Sequence, residues 1–146
     1  MRFPSPEWFN AVATVFNADD RYRGAGGGQS FCRFGVIVGD DIIVVTMDGH
    51  ECSGAEAVDR SSLEDVDFYL EMPRSLWLAM LKDIAANGRA TLNHTLNTID
   101  LDLDEGLSKS IHGDQYREDL FFRYNQTLQF LFDASARVQT DFGAST

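Results

Sequence analysis

Asp100, Asp102 and Asp104 fall at period two in Thr98 to Asp104 (TIDLDLD). On a strand that spacing presents three carboxylates to one side, which is the donor chemistry of a calcium site. The register of a calcium-binding loop is not met, because Glu105 stands where the turn glycine is needed and Ile111 where the bidentate glutamate belongs. The three acids therefore read as a solvated strand face, and no metal is expected. His50, His94 and His112 could each act as a general base near neutral pH. None sits in a motif. His112 ends a short strand just before a helix start, where a side chain could line a cavity mouth, so it is the one candidate catalytic residue. The chain has no G-x-S-x-G, H-E-x-x-H or C-x-x-C. The glycines Gly24, Gly26, Gly27 and Gly28 follow a helix and open a strand, the reverse of a dinucleotide fingerprint. They read as a flexible loop fit to rim or gate a cavity, and no cofactor is expected.

The elements that must position these residues are legible from period and punctuation. Ser5-Pro6-Glu7 starts a helix whose apolar face is Trp8, Val12, Val15 and Phe16. Phe31 to Val38 alternates as a strand. Ile42 to Met47 is apolar on both faces and reads as a central strand. Asp48-Gly49 signals a hairpin into a more polar outer strand over residues 50–58, and Ser61 to Asp65 reads as a loop. Val66, Phe68, Leu70 and Met72 alternate with polar residues up to Pro73; beyond it Leu76, Trp77, Met80, Leu81 and Ile84 share one face of a helix that ends at Asn87-Gly88. Thr98 to Asp104 and Leu107 to His112 read as strands. Gly113-Asp114 then opens a long helix bearing Phe121, Phe122 and Leu128, and 137–146 reads as a flexible C-terminal tail with nothing to bury, leaving residues 1–136 as a single domain.

Composition narrows the functions. The chain has 146 residues, 44% of them hydrophobic, and a net charge of −11 from 23 acids and 12 bases. An acidic protein of this kind lacks the basic patch that nucleic acid or an anionic membrane requires. Between Asp40 and Glu71 ten carboxylates meet only Arg60, a face that keeps the protein soluble or docks a basic partner. No run approaches the roughly 20 apolar residues of a membrane span, and the N-terminus MRFPSPEWFN has no signal-peptide core, so a cytoplasmic location is expected. Cys32 and Cys52 lack metal-ligand spacing and read as reduced, buried residues. Eleven Phe, four Tyr and two Trp exceed what a core of this size needs, and several lie on amphipathic helix faces. Together they suit an apolar pocket between sheet and helices.

The order of elements, with Trp8 to Arg23 (WFNAVATVFNADDRYR), Asp65 to Ile84 (DVDFYLEMPRSLWLAMLKDI) and Ile111 to Asp114 (IHGD) before the last helix, resembles the sterol carrier protein-2 family over residues 6–135. That resemblance implies a mixed five-stranded sheet with helices enclosing a hydrophobic tunnel for fatty acyl chains, sterols or other lipids, with neither metal nor nucleotide. The chain departs from it in the long, polar segment Arg89 to Glu105 and in its acidity.

The expectation is thus an α+β domain with a mixed or antiparallel five-stranded sheet, covered by helices that enclose a hydrophobic cavity. Its function would be to carry a small or medium apolar ligand of lipid, sterol or fatty acyl type. Phe34, Val36, Phe68, Leu70, Trp77, Leu81, Phe121, Phe122 and Leu128 would line the cavity. The partner would be that small molecule, with no nucleic acid and no integral membrane association; the sequence leaves a homodimer open. The rival expectation is a small cavity enzyme in the style of nuclear transport factor 2-like folds, an isomerase, cyclase or hydratase using an Asp–His pair around His112.

Overall fold

The computed structural model describes residues 1–25 and 28–142. The chain is α+β, a mixed five-stranded sheet with helices. Its elements are α1 (Pro6–Ala18), β1 (Ser30–Val38), β2 (Asp41–Gly49), β3 (Glu51–Ala57), β4 (Phe68–Glu71), α2 (Arg74–Asn87), α3 (Leu96–Asp102), β5 (Ser108–Lys109) and α4 (Gln115–Asp133). The strand order is β3-β2-β1-β4-β5, with β1 and β4 parallel and every other neighbouring pair antiparallel.

Local chemistry sets most of these boundaries. Ser5 caps α1 by accepting from the Trp8 N–H, and Pro6 occupies the first turn, where its missing N–H costs nothing. Both hairpins turn through glycine: Gly39 (φ 60°) joins β1 to β2 and Gly49 (φ 74°) joins β2 to β3, a backbone that L side chains resist. The second turn lies one residue later than Asp48-Gly49, since Asp48 already pairs with Glu51 across the ladder. Pro73 ends β4 and begins α2, which closes at Gly88 (φ 83°) with its N–H on the Ile84 carbonyl at 2.8 Å. Asp114 caps α4 by accepting from the Arg117 N–H.

The two faces of the sheet differ. On one, Cys32, Phe34, Val36 and Val38 of β1, Ile43, Val45 and Met47 of β2, and Phe68 and Leu70 of β4 meet α1, α2, α3 and α4 in the main core. On the other, Ile37, Val44 and Tyr69 are covered by Leu63 from a 3-10 helix at Arg60–Asp65, with Val66. The stretch expected as a plain loop there is this cover. It reaches the sheet because Gly35 lacks a side chain: a Cβ there would lie 2.8 Å from Leu63 Cδ2 and 2.9 Å from Tyr69 Cβ.

Three expectations are corrected. Thr98 to Asp104 is not a strand. Leu96, Ile99 and Leu103 carry a helical spacing through the alternating acids; Leu96 and Ile99 are buried, and Thr95 caps α3 by accepting from the Thr98 N–H. The strand expected from Leu107 to His112 shrinks to Ser108–Lys109. Residues 137–142 are not a tail with nothing to bury. Trp8 Nε1 donates to Thr140 Oγ1 at 2.9 Å, Asp141 bridges Arg2 in parallel, and Phe142 packs against the core while its carbonyl accepts from Arg74 at 2.9 Å. These contacts join the two chain ends and have no periodicity by which a sequence could announce them. Gly26 and Gly27 of the glycine cluster, and 143–146, lie outside the described residues.

Candidate functional site

A cleft of about 520 Å³ opens at the carboxyl ends of the parallel strands β1 and β4. From β1 the chain turns through Gly39 into β2 on one side; from β4 it leaves through Met72-Pro73 into α2. Adjacent parallel strands whose connections diverge leave a crevice outside their carboxyl ends, which is where open sheets tend to bind ligands. Its apolar lining includes Ile37, Met72 and Leu103, and its charged lining is Glu71, Arg74, Asp104, Glu105 and Lys109.

The charged lining is held by its own ion pairs. Glu71 takes Lys109 Nζ at 3.3 Å and Arg60 at 3.8 Å, and its N–H donates to the Leu107 carbonyl at 3.1 Å. Lys109 arrives from β5 and Arg74 from the first turn of α2. The far wall, Leu103 to Gly106, follows α3; it turns at Gly106 (φ 76°), where Asp100 Oδ1 accepts the Leu107 N–H at 2.8 Å. Asp100 is thus a local brace, and the three aspartates do not share a strand face. Trp77 Nε1 donates to the Ile37 carbonyl at 2.9 Å, tying the cleft to the core.

None of the nine residues expected to line a cavity lines this cleft. The structure brings eight of them together in the main core instead. Phe34, Val36, Phe68, Leu70, Trp77, Leu81, Phe121 and Leu128 each expose 1% or less of their surface. Phe34 and Phe68, paired in register across β1 and β4, stack at 5.9 Å, and Phe121 meets Phe68 edge-on at 6.3 Å. Phe122 is corrected: it is 50% exposed, because it follows Phe121 around α4 and only Phe121 faces inward. His112 is exposed on the turn between β5 and α4, with no hydrogen bond or ion pair among the described residues, so the Asp–His pair of a cavity enzyme is not assembled around it. Among the described residues the aspartate paired with a histidine is Asp83, whose Oδ2 lies 3.7 Å from His94 Nδ1. That carboxylate already accepts from the Thr91 N–H at 2.6 Å and from Asn87, and these bonds, the Thr91 N–H foremost, hold its pKa below the ordinary value.

Cys32 and Cys52 flank Met47 across β1, β2 and β3 on the core side. Burial pushes the Cys32 thiol up to about 12 and the Cys52 thiol up to about 11, which removes them as nucleophiles at neutral pH. Glu71, Arg74, Leu103 and Lys109 were not visible as site residues in the sequence. The signal available was indirect: Gly39 and Pro73 each stop a strand beside the cleft, and Gly106 turns the chain between α3 and β5. Among the described residues no helix is long and apolar enough to cross a membrane. Comparison with models of protein families, with curated proteins and with solved structures finds no match to this chain.

Proposed function

We propose that this protein is a carrier or accessory domain of the sterol carrier protein-2 kind, binding a small or medium molecule whose body is apolar. One observation carries the reading: the cleft's apolar lining is Ile37, Met72 and Leu103, of which Met72 belongs to the main core and Leu103 packs against it, and its lining also carries charges of both signs. Its size falls within the range of small-molecule sites, which orient mostly apolar ligands with a few polar groups. The ligand's apolar body lies over these apolar residues and its polar end meets Arg74 or Lys109. Binding is driven by removal of apolar surface from water, about 25 cal/mol per Å².

The test is titration with a fluorescent polyene fatty acid, cis-parinaric acid. Saturable, single-site binding that Leu103→Trp weakens by about tenfold, through filling of the cleft, supports the reading. Weak, non-saturating fluorescence, or equal binding by the filled variant, refutes it.

A further inference from the structure

The aromatic interior is closed, and the segment that closes it beside the cleft is much shorter than the other helical covers. Helices α1, α2 and α4, of 13, 14 and 19 residues, bury five, five and six side chains, a share of their length like that of α3, but α3 has only seven residues and so is held by Leu96 and Ile99 alone. The stretch from Leu92 to Glu105 that contains α3 turns Leu92 and Leu101 outward, 81% and 76% exposed. At its start Thr91 is pinned to α2, donating both its N–H and its hydroxyl to Asp83. At its end stands Gly106, in a left-handed conformation that glycine adopts without strain, and there the closed form is braced by the Leu107 N–H on Asp100 Oδ1 at 2.8 Å, a bond that opening must break. Between these points one strong polar bond ties it to α4, from the Leu96 N–H to Gln129 Oε1 at 2.6 Å. Its last residues, Leu103 to Glu105, form the far wall of the cleft.

Building on the apolar-ligand reading, we propose that Leu92 to Glu105 is a lid, latched by Gln129 and hinged at Gly106, whose opening joins the surface cleft to the apolar interior. When α3 lifts, Leu96, Ile99 and Leu103 leave the core that they share with Leu107, Phe121 and Leu128. An apolar chain lying in the cleft over Met72 then has a continuous apolar path inward, and the side chains it displaces are the lid's own. The small number of buried anchors places this opening among the low-energy local unfolding events of a fold, below global unfolding.

Hydrogen exchange of the full chain tests the lid without any ligand. The amides of Leu96, Ile99 and Leu103 are all hydrogen-bonded in the closed form. They are expected to exchange about a hundredfold faster than the amides of Met80 to Ile84 in α2. Gln129→Leu removes the latch. It should speed exchange of the lid amides and quicken uptake of cis-parinaric acid while leaving α2 protection unchanged. Lid amides that exchange in step with α2 overturn the proposal, as does uptake unaltered by Gln129→Leu. Early lid exchange without any saturable probe binding overturns the apolar-ligand reading instead, so the two failures are distinct.

Discussion

Asn17 on α1 closes both backbone groups of Cys52 on the edge strand β3: the Cys52 N–H donates to its Oδ1 at 2.8 Å and its Nδ2 donates to the Cys52 carbonyl at 2.9 Å. Two helical turns earlier Asn10 does the same for Ala55, at 3.0 and 3.4 Å. A helix thereby occupies the edge that another strand would pair with, using side-chain amides in place of a ladder. Asn17→Ala leaves the buried Cys52 N–H without a partner. It should cost about 1–3 kcal/mol in denaturant unfolding. With Asn10→Ala added, the freed edge should show self-association by sedimentation; a monomer of unchanged stability would refute the edge role.

Gly35→Ala is expected to destabilise by about 1–3 kcal/mol, the usual scale of overpacking. The new methyl meets Leu63 Cδ2, which can move, and Tyr69 Cβ, which the ladder holds opposite Gly35. Leu63→Ala in the same chain should therefore recover none of the Tyr69 part of the loss. Thermal unfolding of the two variants checks this.

Trp77→Ala removes a side chain with no exposed surface and a hydrogen bond to Ile37, so a loss of about 3–5 kcal/mol is expected. Trp77→Phe should cost less but leave the Ile37 carbonyl unsatisfied beneath the cleft. If the alanine variant were nearly as stable as the parent and bound cis-parinaric acid differently, Trp77 would be a cavity wall and not core.

Asp133 is 6% exposed at the end of α4, and burial raises its pKa above the ordinary 3.8 despite bonds from the Ala90 N–H and Gln129. A raised folded value means that the native state holds this proton more tightly than the unfolded chain does. The associated stability is fully present below pH 3.8 and lost as pH rises through the folded value. Asp133→Asn keeps an acceptor for Ala90 without the buried charge. It should be at least as stable as the parent at neutral pH, with its advantage shrinking toward acid; a large loss at pH 7 would show that the carboxylate is needed ionised.

Both thiols should resist a disulfide exchange reagent in the native protein and react fully in denaturant, given their burial and raised pKa values. Fast labelling of either in the folded state would contradict the closed sheet face.

What the sequence determined by itself was whatever a few neighbouring residues decide. Ser5-Pro6 and Asp114 set helix starts, Gly39 and Gly49 set hairpins, and Pro73 divides a strand from a helix, because caps, positive φ and the missing proline N–H act within one turn of chain. The α+β class followed from those elements. Tertiary structure decided the rest. Leu96 to Asp104 offers a two-residue period in its acids and a helical one in Leu96, Ile99 and Leu103; the apolar set prevails because packing beside α4 rewards burial, while Asp102 and Asp104 stay exposed in the helical form and Asp100 finds the Leu107 N–H. Whether eight aromatic and aliphatic residues surround a void or fill one another's gaps is a matter of matched volume across β1, β4, α2 and α4, which no single segment encodes. The cleft likewise unites residues 37, 72 and 109, which the sheet brings together at its strand ends, with residue 103, which follows α3.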